Sequence, residues 1–275
     1  MAKSQRARLG QVFLKDRRVE ERILYALRLQ PDDVVLEIGA GPGNMTARLA
    51  AAAGKIIAVE VDAKWAVQLR EMFAGNDRVS ILEADILKVP IDKVARKSGR
   101  DRIRVFGNLP YYITSPCLLH LFRYGHSIEE IVVMVQREVA ERMVAVPGSK
   151  DYGLFSITCQ YYTQPKLLFT IPPAAFRNPP KVESALVRMP VAPQQEALGI
   201  RDEDEFWKWM RAAFAQKRKT LVNNWKRLCD AERLRVALEA QGIDLRVRAE
   251  ALSLAKLAAL QSTLQGISNS RGVGE

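Results

Sequence analysis

Asn108-Leu109-Pro110-Tyr111 is the segment of this chain whose residue types point most directly to a chemistry. An amine on an aromatic ring is a poor nucleophile, because its lone pair is delocalised into the ring. Two acceptors aimed at its two N–H protons localise that pair. The Asn108 side-chain carbonyl and the Leu109 backbone carbonyl are two such acceptors. Pro110 restricts Leu109 to an extended backbone, which can turn its carbonyl into a site. Tyr111 offers a face on which a base stacks, worth roughly 1–3 kcal/mol. The chemistry implied is methyl transfer from a sulfonium to the exocyclic amine of adenine. No strong general base is needed, since the amine becomes acidic only after transfer. A bare N-x-P-Y turn is ordinary, so its meaning depends on what surrounds it.

A donor site has to stand beside it. Glu37 precedes Gly39-Ala40-Gly41-Pro42-Gly43, and Asn44 occupies the place where a dinucleotide motif needs its third glycine. Glycines let a backbone approach a ligand closely, and this spacing suits a nucleoside with no pyrophosphate. Glu60 can accept from both hydroxyls of a ribose. Asp85 can accept from an adenine amine. Either acid alone is more simply a solvated loop residue or a helix cap; their places at consecutive strand ends favour a ligand.

The elements that hold these residues alternate. Residues 17–28 carry Val19, Ile23, Leu24 and Leu27 at helical spacing. Apolar runs at 34–38, 56–59, 79–82, 103–106 and 131–135 read as strands, and 44–53, 62–73 and the segment from Ser115 as helices. Continuously apolar strands between helices indicate a mostly parallel sheet covered on both faces. Its ligands bind at the carboxyl ends of the strands, where Gly39, Glu60, Asp85 and Asn108 all fall. Residues 166–171 and 184–189 read as two closing strands around a proline-rich turn. Pro190-Val191-Ala192-Pro193 reads as a linker, and from Asp202 the pattern is helical. The expected organisation is an α/β catalytic domain, 1–190, with a small all-helical domain, 191–275.

Composition narrows the function classes. The 275 residues carry 42 Lys+Arg against 31 Asp+Glu, a net charge of +11, which favours a polyanionic partner. Cys117, Cys159 and Cys229 are far apart and only His120 and His126 exist, so neither a metal site nor a Ser-His-Asp triad is expected. No apolar run reaches the ~20 residues of a membrane span, and the basic N-terminus lacks a signal-peptide core. A soluble, cytoplasmic monomer is expected.

With these residues in view, the chain resembles the ribosomal RNA adenine N6,N6-dimethyltransferases, most closely the bacterial small-subunit type. The resemblance covers almost the whole chain. It includes Gly10-Gln11-Val12-Phe13-Leu14, the 37–43 loop, Asn108-Leu109-Pro110-Tyr111-Tyr112, Phe176-Arg177-Asn178-Pro179-Pro180 and Gln216-Lys217-Arg218-Lys219-Thr220. It implies a class I methyltransferase fold, S-adenosylmethionine as donor, and dimethylation of two adjacent adenosines in a hairpin loop near the 3′ end of 16S rRNA in the 30S particle. It implies cofactor contacts at Val12, Leu14, Gly39, Gly41, Glu60, Asp85 and Asn108, and makes Phe176 an aromatic wall opposite Tyr111. Family members usually have Asn or His where this chain has Val12, which leaves that position a backbone contact only.

Basic residues load two stretches. The first holds Lys3, Arg6, Arg8, Lys15, Arg17, Arg18, Arg22 and Arg28; the second holds Lys208, Arg211, Lys217, Arg218, Lys219, Lys226 and Arg227. A charge run is usually a solvated face; two of them in a chain that modifies adenine read as phosphate contacts. Three alternatives stand beside this reading. A 23S rRNA adenine methyltransferase usually has isoleucine at the Leu109 position. A non-enzymatic RNA-binding factor on the same fold has no need of the intact site. A nicotinamide-dependent oxidoreductase is disfavoured by the glycine spacing and the charge.

Overall fold

The computed structural model describes residues 13–269, so Gly10, Gln11 and Val12 lie outside the described residues. The first unit begins with α1 (Arg17–Leu27). Asp16 caps it, its carboxylate accepting from the backbone N–H groups of Arg18 and Val19. Val19, Ile23 and Leu27, spaced by four, bury the inner face of α1. Then follow β1 (Val34–Ile38), α2 (Asn44–Ala52), β2 (Lys55–Glu60), α3 (Ala63–Met72), β3 (Val79–Glu83), α4 (Ile91–Lys97), β4 (Ile103–Asn108), α5 (Thr114–Arg123) and β5 (Ile128–Gln136). Two further strands, β6 (Lys166–Ile171) and β7 (Ser184–Pro190), complete the sheet.

The seven strands lie in the order β3-β2-β1-β4-β5-β7-β6. The first five are parallel; β7 runs antiparallel to β5, and β6 antiparallel to β7. Strand order reverses at β1, since β2 and β3 lie to one side and β4 and β5 to the other. An open α/β sheet forms its ligand crevice at such a reversal. The carboxyl ends of β1 and β4, carrying the 39–43 loop and Asn108, meet there.

Buried charge ties this sheet to α1. Arg104 on β4 is 8% exposed and donates to Glu130 on β5 at 2.6 Å, to Asp33 at 2.9 Å and to the Leu27 carbonyl at 2.8 Å. Glu130 also pairs with Arg188 on β7. One cluster thus pins three strands and the end of α1.

Helices α6 (Arg137–Val144) and α7 (Leu154–Tyr162) fall in a stretch to which the sequence assigned nothing. Contacts divide the chain into residues up to Ala140 with Gln164–Val191, and Glu141–Thr163 with the chain from Ala192 onward. The cut expected between 190 and 191 lies one residue from this division, and the second unit also takes in residues 141–163. Apolar residues of α7 pack there with those of α8 (Glu203–Ala213), α9 (Leu221–Trp225), α10 (Ala231–Ala240) and α11 (Leu254–Asn269). Trp209 and Trp225 meet edge to face at 4.9 Å, and the Trp225 indole donates to the Trp209 carbonyl. These tryptophans are packing residues. No helix among the described residues is long and apolar enough to cross a membrane.

Arg104→Ala is expected to destabilise the chain by roughly 3 kcal/mol, because it strips Asp33 of its cation and leaves Glu130 with Arg188 alone. Urea unfolding measures this; a loss under about 1 kcal/mol would show the cluster to be solvated.

Candidate active site

The 39–43 loop is built by left-handed backbone. Gly39, Gly41 and Gly43 have φ of +74°, +52° and +84°, a region that side chains rarely enter. At Gly41 space is closed as well: an added Cβ would stand 2.6 Å from the Phe13 ring. Phe13 itself packs edge-on against Trp65 of α3, with centroids 5.4 Å apart. An aromatic cover therefore rests directly on the glycine loop.

Glu60, at the end of β2, is 3% exposed. One carboxylate oxygen accepts from the Gly41 N–H at 2.8 Å and the other from the Asp62 N–H at 2.9 Å. The sequence cast Glu60 only as a ribose acceptor. Its first role in the structure is to tie the loop after β1 to the loop after β2. Asp85, two residues beyond β3, is half-buried and caps a single 3-10 turn, accepting from the Leu87 N–H at 3.0 Å.

Glu37 is buried on β1 and accepts from the Thr46 hydroxyl of α2 at 2.6 Å. Burial pushes its carboxyl up to about 7, with a further upward push from Glu60. It was legible in the sequence as the acid before the glycines, but not as a titrating group. That property comes from a fully buried sheet position, and Thr46 nine residues on gives no warning of it.

Asn108 closes β4 beside Met134 of β5. Its main-chain carbonyl lies 3.6 Å from where a Cβ of Gly39 would stand, so the turn that begins at Asn108 and the glycine loop touch. The Leu109 N–H donates to the Met134 carbonyl, and the side chain is buried. Pro110 has φ −57° and ψ 135°, and Tyr111–Ile113 form a 3-10 turn before α5. Leu14, Gly39 and Asn108 line one cavity of about 40 Å³ with Phe13, Glu37 and Phe106. Glu60 and Asp85 stand at neighbouring strand ends outside its lining.

Phe176 departs from expectation. Its ring is 1% exposed and packed in the core of the first unit, so it offers no face to a base. The cause is backbone pairing: Leu14 and Phe176 form an antiparallel bridge. The N–H groups of Lys15 and Asp16 donate to the Ala175 carbonyl, and that of Arg177 to the Phe13 carbonyl. Phe13, its partner Trp65 and this clasp were missed by sequence reasoning, because the pairing spans more than 160 residues.

Of the expected RNA contacts, Arg17 and Arg18 are exposed on α1. Lys217, Arg218 and Lys219 are exposed in the turn between α8 and α9, with the Lys217 amine bonded to the Lys150 carbonyl.

This sheet order, with glycine loop and strand-end acids at the reversal, defines the class I methyltransferase fold. The family model described as ribosomal RNA adenine dimethylase matches residues 2–265. The chain is 43% identical over 272 residues to ribosomal RNA small subunit methyltransferase A of Koribacter versatilis, covering 95% of each protein. It is 44% identical over 259 residues to the protein of that name in Acidobacterium capsulatum, covering 94% of this chain and 90% of that one. Among solved structures, a dimethyladenosine transferase from Plasmodium falciparum superposes with a TM-score of 0.74 at 23% identity, covering 94% of this chain and 98% of that one. The 23S rRNA methyltransferase ErmE gives 0.71 at 23% identity, covering 92% and 99%; both share the fold. The chain belongs to the ribosomal RNA adenine dimethylase family. Dimethylation of adenine in ribosomal RNA is accordingly its activity.

The raised Glu37 carboxyl gives a stability prediction. In the unfolded chain it releases its proton near the ordinary glutamate value of 4.5, and in the folded chain only near 7. The folded state holds the extra proton between these values, so stability falls as pH rises through that window. Relative to Glu37→Gln, the parent should lose on the order of 3 kcal/mol between pH 4.5 and 7. Denaturant unfolding at both pH values checks this; parallel profiles would show Glu37 ionised throughout.

Proposed function

We propose that the chain transfers methyl groups from S-adenosylmethionine to N6 of two adjacent adenosines in the 3′-terminal hairpin loop of 16S rRNA, acting on the 30S particle as a cytoplasmic monomer in ribosome assembly. The observation that carries the chemistry is Asn108 at the end of β4, in contact with the Gly39 loop at the sheet reversal. The choice of subunit rests on relatives over 40% identical across nearly the whole chain, named for the small ribosomal subunit.

The residues present suit this donor. Glu37 of β1 lines the cavity, and Glu60 and Asp85 stand at the ends of the neighbouring strands; carboxyls at one end of the sheet complement a ligand bearing a sulfonium and an ammonium. Gly39 and Gly41 leave room for its backbone contacts; Glu60 and Asp85 keep unused lone pairs for ribose hydroxyls and the adenine amine. S-adenosylmethionine, when bound, supplies the electrophilic methyl. Val12, outside the described residues, would contact the cofactor through its backbone.

At the reacting amine, the Asn108 amide oxygen and the Leu109 carbonyl each accept one N–H, leaving the lone pair directed at the methyl. The proton lost after transfer passes to water. No metal is needed for this step. Loop adenosines are already partly unstacked, which lowers the few kcal/mol that extrusion costs. Arg17, Arg18, Lys217, Arg218 and Lys219 hold backbone phosphates.

Methyl incorporation into isolated unmethylated 30S particles and into naked 23S rRNA tests the choice of subunit. Labelling of 30S with little in 23S is expected; labelling of 23S alone would move the chain to the other substrate.

A further inference from the structure

The outward face of α1 carries residues that the active site does not use. Arg18, Glu21, Arg22, Tyr25 and Arg28 line an open groove of about 560 Å³ with Leu168 and Phe169 of β6. Tyr25 is 84% exposed, so its ring contributes almost nothing to packing. The Arg22 guanidinium lies 3.9 Å from the centre of the Phe169 ring. Leu168 and Phe169 are consecutive, and regular strand alternation would send one of them to the opposite face. The register of β6 slips between Leu167 and Phe169, and such a bulge re-aims side chains. Arg188, also in the lining, is already paired with Glu130, and Glu21 is the only carboxylate in the lining.

Arg28 adds a backbone observation. It closes α1 with φ 49° and ψ 43°, and is the single non-glycine residue of positive φ among the described residues. Glycine is the usual residue at a left-handed helix end. The strain is held by buried Arg104, which donates to the Leu27 and Arg28 carbonyls. A helix stop alone would be better served by glycine, so the arginine side chain has a use of its own.

We infer that this groove is a second RNA-binding site, taking an unpaired stretch of the substrate RNA outside the reacting adenosines, with one base stacked on Tyr25 and backbone phosphates on Arg18, Arg22 and Arg28. Positive charge beside an exposed aromatic face is the combination that holds single-stranded nucleic acid. The inference rests on the proposal that the substrate is ribosomal RNA. An extended peptide added to the edge of β6 is the competing occupant, and it has no use for the cations on α1.

The test compares the full chain with Tyr25→Ala, Tyr25→Phe and Arg28→Gly. The readouts are half-saturating concentration of unmethylated 30S subunits at several salt concentrations, S-adenosylmethionine affinity and melting temperature. Tyr25→Ala should raise the half-saturating concentration about tenfold, and Tyr25→Phe should restore it to within about twofold. Arg28→Gly should raise it severalfold and flatten the salt slope by about one, with a melting temperature equal to or above the parent's. Cofactor affinity should not change. If Tyr25→Ala and Arg28→Gly keep the parent's half-saturation and slope while the parent methylates 30S, the groove does not bind RNA and the activity stands. Weaker binding by Arg28→Gly that only follows a lowered melting temperature would equally overturn the inference. If the parent puts no methyl into RNA, the functional proposal falls and takes this one with it.

Discussion

The Glu60 carboxylate joins two loops whose N–H groups, of Gly41 and Asp62, are 21 residues apart in the chain. By accepting from the Gly41 and Asp62 N–H groups at the same time, it fixes the glycine loop against the end of β2. The geometry of the site follows from that. With the loop held, Gly39 stands against the Asn108 carbonyl and Gly41 under the Phe13 ring. Its oxygens satisfy two backbone donors that would otherwise be costly in a largely buried place. A glutamine would have one oxygen to do the same work, so the carboxylate matters here for having two.

A chain of net charge +11 that folds an acidic crevice is arranged for two ligands of opposite sign. The basic residues of α1 and of the 217–219 turn lie exposed, where phosphates are reached through solvent. Glu37 and Glu60 lie on the inner strands, where low dielectric strengthens their attraction for a cation. Glu37 near neutrality marks chiefly the cost of burying its charge, with a smaller push from Glu60. A bound cation would relieve it, which links cofactor affinity to proton release.

Much of this was legible in the sequence. The five parallel strands and the alignment of Gly39, Glu60, Asp85 and Asn108 at their ends follow from apolar runs that stop at particular residues. The two closing strands also announced themselves, through β-branched and leucine-rich runs around prolines. The boundary expected after 190 lies one residue from the division between Val191 and Ala192, but no local sign in the sequence shows that residues 141–163 join the second unit; only their contacts assign them there. Phe176 was read from its motif as a wall, yet its ring is in the core. The Leu14 bridge that turns it inward is a long-range pairing with no local sign. Arg28 was counted as one more positive charge; its left-handed backbone depends on Arg104, 76 residues away.

The central claim is that the Asn108 amide oxygen, with the Leu109 carbonyl, makes the adenine amine nucleophilic. Single-turnover methyl transfer by Asn108→Ala, alongside separate measurements of its cofactor and RNA affinities, tests it most directly. Transfer should fall by about 100-fold or more, the usual cost of losing one oriented polar group at a reacting centre, while both affinities stay within about threefold of the parent. Transfer within about tenfold of the parent, with both ligands bound normally, would contradict it.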